Sequence, residues 1–306
     1  MLKQKSENMK GGLFIALGML LLAIGDNYIR FITEQTSLWQ FHFERSLIAI
    51  PLLIFAARRI GKSILPQNFS PVLIRTLLMV LAMLVYFGSL AFFPISQVSA
   101  GLFTSPLFVI IFSRCLLKEQ IYLSRVFAVL LGSFGVILVL GITFSDFSIY
   151  NLFPIAAGAI YALASITTRQ WCREEEPVSL MFMFFCGIGL ASLIIIILIQ
   201  LNILLDFFPI SGTFITLPLK VPNLQILVII FMHALVSVIG GVLITFGYQK
   251  GHTSFVAVFE YSFLFFATSW AYLFFSDYIS APMLLGLTLI ILSGFVISLS
   301  TNSKQK

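Results

Sequence analysis

Long unbroken apolar runs organise this sequence. Ten stand out, roughly over residues 12–33, 38–57, 72–93, 97–115, 123–141, 149–170, 178–200, 224–248, 254–275 and 280–300, with short polar turns between them. About 20 helical residues cross a hydrocarbon layer about 30 Å thick, and each run is near that length. Lipid offers the backbone no hydrogen-bond partner, so each run is expected to be a helix. Strands of a membrane barrel would instead alternate apolar and polar residues over about ten positions.

Composition narrows the class. Of 306 residues, 59% are apolar and 10% are charged, whereas a soluble domain carries about 25% charged residues. The mean hydropathy is +1.06. A soluble enzyme, a secreted disulfide scaffold and a disordered chain are all excluded. Cys115, Cys172 and Cys186 are odd in number and lack metal-type spacing. The net charge of +6 lies in short clusters between runs, which is no footprint for nucleic acid. Lys3, Lys5 and Lys10 before the first run resemble a signal peptide. No clear cleavage site follows, so that run is expected to stay as a first helix.

Basic residues set the orientation. With the N-terminus in the cytoplasm, 15 of the 18 Lys and Arg residues fall on the inner side, Arg58, Arg59, Lys62, Arg75, Arg114 and Lys118 among them. Only Lys220 falls outside, and Arg30 and Arg45 lie within runs. The split implies ten spans with both termini cytoplasmic. The longest outer loop, residues 201–223 with Pro209, Pro218 and Pro222, has room for a short interfacial stretch.

The chain also repeats. The fourth run begins Ser99-Ala100-Gly101, contains Ser105-Pro106, ends in Leu117-Lys118-Glu119 and is followed by Gly132 and Gly135. The ninth begins at Ser254, contains Glu260-Tyr261, ends in Phe275-Ser276-Asp277 and is followed by Gly286 and Gly294. Five spans per half is an odd number, so the second half must be inverted relative to the first. The expected fold is an all-α integral membrane protein of ten transmembrane helices. They form two inverted five-helix repeats, 1–146 and 147–306, around a central cavity. Carriers of this design bind cargo near the midplane.

In-span charge costs several kcal/mol unless paired or hydrated. Asp26 and Arg30 stand four residues apart and on one helix would share a face and pair. Glu44 and Arg45 are adjacent, so both cannot face one cavity. These four form either a structural ion network or cargo contacts. Glu260 has nothing nearby in sequence to neutralise it, which suits a cationic group or a coupling proton. Pro106 removes a backbone hydrogen bond mid-span. Small residues at four-residue steps, as in Ser96-Ala100-Thr104 and Gly158-Ala162, read as packing stripes. Tyr86, Tyr161, Tyr261 and Trp270 can anchor, pack or stack on a flat ligand. His42, His233 and His252 are scattered, so no metal site is expected, and nothing calls for a cofactor. Gly61-Lys62-Ser63 lacks the glycine a phosphate loop needs, since Ala56 stands there.

The stretch from Arg75 through Leu90-Ala91-Phe92-Phe93-Pro94, Val98-Ser99-Ala100 and Ser105-Pro106-Leu107 to Leu117-Lys118-Glu119, then Arg125, Gly132 and Gly135, resembles the EamA-like branch of the drug/metabolite transporter superfamily. Glu260-Tyr261 through Phe275-Ser276-Asp277 is similar to a variant in which tyrosine replaces a helix proline. Asp26 with Arg30 looks like the family's acidic–basic pair in the first span, where lysine is the usual base. The resemblance spans nearly the whole chain and specifies family rather than cargo. It implies a cavity lined by spans 1, 3, 4, 6, 8 and 9, which places Asp26, Tyr86, Ser105, Tyr161 and Glu260 at the cargo. Arg30, Pro106 and Tyr261 complete the expected cargo-binding set, and Arg45 is a weaker candidate because span 2 is usually peripheral. The implied function is secondary transport across the inner membrane, as a monomer or homodimer in lipid; the alternative is a non-transporting integral-membrane protein or a membrane-embedded lipid-modifying enzyme. The implied cargo is a small polar metabolite: S-adenosylmethionine, riboflavin or an amino-acid-like molecule.

Overall fold

The computed structural model describes residues 2–33, 35–90, 92, 93, 95–141, 149–203, 215, 217 and 219–300. The expected boundary between halves at 146/147 lies outside the described residues, as do Ala91, Pro94, Pro209, Pro218, Lys304 and Lys306. Among the described residues, ten helices are long and apolar enough to cross a bilayer. They are span 1 (Ser6–Phe31), span 2 (Leu38–Arg59), span 3 (Phe69–Ser89), span 4 (Ile95–Cys115) and span 5 (Leu123–Leu140). Span 6 (Leu152–Gln170), span 7 (Pro177–Gln200), span 8 (Leu224–Lys250), span 9 (Thr253–Phe275) and span 10 (Ala281–Leu299) follow. No strand occurs among the described residues.

Local chemistry sets the ends of these helices. Ser37 caps span 2, its Oγ accepting from the Gln40 N–H at 3.2 Å. Asn223 caps span 8 through the Ile226 N–H at 2.9 Å. Span 5 stops at Gly141, whose φ of +62° suits a residue without Cβ. Leu13, Leu77, Phe127, Leu190 and Phe295 are exposed, as expected where lipid is the solvent.

Three spans are not continuous α-helix. Span 1 tightens into a 3-10 turn over Tyr28–Phe31. Span 4 consists of two helices, Ile95–Leu102 and Ser105–Cys115, with Pro106 in the first turn of the second. There the missing N–H costs nothing, so Pro106 restarts a helix rather than kinking one. Span 9 passes from a short helix, Thr253–Val256, through a 3-10 stretch, Ala257–Tyr261, into Ser262–Phe275. Spans 4 and 9 hold corresponding places in the sequence repeat, and both are broken.

The packing has the same regularity. Span 1 lies mainly on span 8, span 3 on span 6, span 4 on span 6 and span 9 on span 1, while span 2 pairs with span 7 and span 5 with span 10. Renumbering every span by five leaves these principal pairings unchanged. Backbone proximity makes two of them. A Cβ on Gly18 of span 1 would fall 2.6 Å from the Gly240 carbonyl oxygen of span 8, and one on Gly135 of span 5 would fall 2.7 Å from that of Gly286 in span 10. Such contacts replace the hydrophobic drive that lipid cannot supply.

Candidate functional site

A cavity of about 610 Å3, a size suited to a small organic ligand, is lined by spans 1, 2, 3, 4, 6, 7, 8 and 9. Its lining runs from Thr33, Leu90 and Ile95, at the face opposite the N-terminus, inward to Arg75, Thr168 and Tyr248. Most of the wall is apolar or aromatic, with ionisable groups gathered at its two ends.

At the deep end stands Glu260, 3% exposed. The 3-10 turn of span 9 aims it across the core. The Tyr248 hydroxyl donates to its Oε1 at 2.6 Å, and the Ser105 hydroxyl to its Oε2 at 3.4 Å. Tyr161 interacts with the same carboxylate and also with Arg75, so it stands between an acid and a base. Arg75 is 2% exposed. Its guanidinium donates to Thr168 Oγ1 at 3.1 Å, the Leu180 carbonyl at 3.2 Å and Thr245 Oγ1 at 3.5 Å. Arg75 therefore belongs to the interior of span 3, not to the polar inner face where the sequence count set it.

The shallow end holds Asp26, His233, His42 and Arg45. Gly11, Gly18 and Gly25 recur every seven residues on span 1, as do His233, Gly240 and Gly247 on span 8. The first two glycines oppose Gly247 and Gly240. The seam closes at Gly25, where Val236 Cγ2 takes the space a side chain on span 1 would need and the His233 ring lies in ordinary contact at 3.4 Å. His233 Nε2 lies 3.0 Å from Asp26 Oδ1 and its Nδ1 lies 3.0 Å from Ser237 Oγ. An ionised carboxylate only accepts, so Nε2–H donates to Asp26 and a neutral ring accepts from Ser237.

The expected Asp26–Arg30 pair does not form. Span 1 leaves α geometry after Asn27, which turns Arg30 away from its neighbour one turn back. Arg30 instead meets Asp277 at 2.9 Å and lies over the Phe275 ring at 4.3 Å. Hydrogen bonding from Arg30 holds the Asp277 carboxyl below its usual value. Glu44 and Arg45 do diverge. Glu44 accepts from the Gln40 amide at 2.8 Å, while Arg45 lines the cavity.

Asp26, Arg30, Tyr86, Tyr161 and Glu260 all line the cavity, and Ser105 reaches it through Glu260. Tyr261 and Pro106 do not. Tyr261 turns toward span 5, sharing a 2.9 Å hydrogen bond with Ser133, and Gly132 leaves room for its ring. Pro106 is buried within span 4. Trp270 stacks on Phe274 rather than on a ligand surface. The sequence reading missed His42, His233, Arg75 and Tyr248 as cavity residues. The seven-residue glycine register pointed at His233, and the three-residue step from His42 to Arg45 put both on one helix face.

At the N-terminal face the bundle is tied shut beyond Tyr248. The Gln249 amide donates to the Cys172 carbonyl at 2.7 Å and the Glu175 carbonyl at 2.8 Å, and Arg169 donates to the Gln249 carbonyl. The Glu175 carboxylate accepts from the Gln67 and Asn68 N–H groups at 2.9 and 2.7 Å.

Ten membrane-length helices among the described residues, around a polar-ended cavity, define a multi-pass membrane protein. Residues 9–141 match the EamA-like transporter family. Residues 9–141 thus carry that family's domain, and the chain is a membrane transporter. It is 25% identical over 257 residues to the pseudopaline exporter of Pseudomonas aeruginosa, covering 84% of each chain. It is 29% identical over 134 residues to the riboflavin transporter of Brucella anthropi, covering 44% of this chain and 46% of that one. A transporter of Helicobacter pylori without an assigned cargo is 23% identical over 317 residues, covering 97% and 99%. One solved crystal structure superposes with a TM-score of 0.72 at 17% identity, covering 98% of this chain and 100% of the other, a likeness of fold alone.

Proposed function

We propose that this protein is a secondary carrier that moves a small polar metabolite across the inner membrane by alternating access between two inverted halves, 1–146 and 147–306. The observation that carries the reading is the cavity: both halves contribute buried ionisable groups to it, and it is tied shut at one face. The unchanged pairing under renumbering by five and the breaks in spans 4 and 9 support the inverted repeat. The distribution of Lys and Arg supports cytoplasmic termini.

Exporter and riboflavin-transporter relatives support a cargo of metabolite size, and S-adenosylmethionine and amino-acid-like molecules are the other candidates. Glu260 is the proposed proton carrier. It is the buried carboxylate at the closed end of the cavity, and three hydroxyl-bearing residues interact with it.

Proteoliposomes of the purified protein, offered riboflavin, S-adenosylmethionine or amino acids, test this reading. Saturable uptake of at least one is expected, responding to an imposed pH gradient. Glu260→Gln should retain downhill exchange and lose the gradient response. No saturable uptake of any of them overturns the carrier reading, and an intact gradient response in Glu260→Gln removes Glu260 from the coupling.

A further inference from the structure

Arg45 is the unexplained charge in this molecule. It is 9% exposed and lines the cavity. No residue among those described accepts a hydrogen bond or forms an ion pair with its guanidinium, and its Nε is sealed from solvent without a partner. What holds it is aromatic: Phe41 and Phe185 lie 5.4 and 5.5 Å from its central carbon. One turn away, His42 is also buried with neither ring nitrogen partnered, its ring 4.1 Å from that of Phe87. Buried polar atoms normally find partners, and a guanidinium with five donors and none used is costly. Two such side chains on one face of span 2, at one end of a cavity, indicate a missing acceptor.

The surrounding charge says what kind of acceptor. The carboxylate whose charge acts on Arg45 is Asp26, but it forms no ion pair with Arg45 and gives Oδ1 to His233. Its side chain is 42% exposed, and no described residue partners Oδ2. The cavity thus offers an unpaired cation and a half-used anion at one end. Arg30 is neutralised by Asp277, so the charged lining left at the shallow end is Asp26 and Arg45, one of each sign. A cargo that is itself net neutral but carries both signs keeps that balance. A lone carboxylate or a lone ammonium in a low-dielectric cavity does not.

We infer that Arg45 and Asp26 form a subsite for the headgroup of an amino acid or amino-acid-like cargo, with the carboxylate on the Arg45 fork and the ammonium on Asp26. The inference rests on the cavity being the cargo site, and it selects molecules with an α-amino-acid headgroup over the neutral flavin among the candidates above. The rest of such a cargo points toward Tyr86 and the aromatic wall.

The test reads Arg45 directly and needs no flux. Wild-type protein in nanodiscs is treated with phenylglyoxal, which attacks accessible guanidinium groups, and modification of Arg45 is followed by peptide mass spectrometry. The probes are L-phenylalanine, L-histidine and L-methionine, each against its amide, with 3-phenylpropanoate and phenethylamine as single-charge controls. At least one zwitterion is expected to slow modification about tenfold when present at about ten times its dissociation constant, with its amide and both controls having little effect. In Asp26→Asn, 3-phenylpropanoate should protect as well as L-phenylalanine. The subsite is overturned if Arg45 resists phenylglyoxal without any probe, or if no zwitterion protects better than its amide. Either result leaves a positive uptake assay standing, whereas protection without uptake keeps the subsite and rejects the carrier.

Discussion

His252 sits where span 8 hands the chain to span 9. Its backbone N–H donates to Asn8 Oδ1 at 3.0 Å. Burial, and then Arg125 of span 5, Arg169 of span 6 and Arg173 in the next loop, hold its imidazole below the ordinary value. The folded state therefore binds fewer protons here than the unfolded chain. Its stabilising contribution is complete above the unfolded value of about 6.5 and is lost as pH falls below it. Melting in nanodiscs at about pH 7.5 and about pH 5.5 should show a drop in Tm on acidification that is smaller in His252→Gln. An equal drop in both proteins would remove His252 as a source. The neighbouring Glu119, whose carboxyl is raised by burial, is common to both and cancels in the comparison. At this scale the sequence was partly legible. In-span charges are rare, so Asp26, Arg45 and Glu260 announce themselves. Their partners do not, because Asp26 finds His233 from 207 residues away and Arg30 finds Asp277 from 247. A local i,i+4 argument cannot see either, nor the 3-10 turn that separates Arg30 from Asp26.

Helix contacts decide stability at the next scale, and glycine decides the contacts. Alanine in place of helical glycine gains about 1 kcal/mol of propensity. At Gly18 the new Cβ would lie 2.6 Å from both the Gly240 carbonyl oxygen and Ile244 Cγ1. A carbonyl in a helix cannot step aside, and overpacking of this kind costs about 1–3 kcal/mol. Gly18→Ala should lower the Tm, while Gly88→Ala, whose Cβ meets nothing within 4 Å, should leave it level or raise it. A Gly18→Ala protein as stable as wild type would mean that spans 1 and 8 do not approach as described. The small-residue stripes were readable as packing faces from spacing alone, as at Gly158, which lies against Gly101 and Thr104. Which stripe met which was not, because a stripe carries no address. The pairing of span 1 with span 8 depends on the antiparallel seven-residue register the two share.

Across the whole molecule, the proposed inverted repeat singles out a candidate gate by what is not equivalent between its two halves. Exchanging spans by five maps the loop between spans 6 and 7 onto that between spans 1 and 2, and the loop between spans 2 and 3 onto that between spans 7 and 8. Both faces tie the corresponding loops together: Glu175 to Gln67 and Asn68 at the N-terminal face, and Asn223 to Gln35 at 2.9 Å at the other. These ties are common to both faces and so belong to the scaffold. Gln249 differs. It bonds the end of span 8 to the loop between spans 6 and 7, and its counterpart span 3 makes no such bond to the loop between spans 1 and 2 among the described residues. The closed face has this bond and the face where the cavity opens lacks it, so on the proposed alternating-access cycle it is the contact expected to break when access switches. Gln249→Ala removes two hydrogen bonds worth about 1 kcal/mol each, enough to shift a two-state balance about tenfold or more. With Cys115, Cys172 and Cys186 replaced by serine and Ser165→Cys placed at the deep end of the cavity, an impermeant thiol reagent applied from the N-terminal face should label at least about tenfold faster in the Gln249→Ala background. Labelling from the opposite face should not rise, and should fall only by the fraction of molecules that has moved, because one population cannot be open to both. Faster labelling from both sides would mean a loosened bundle rather than a shifted gate, and unchanged labelling would return Gln249 to the scaffold.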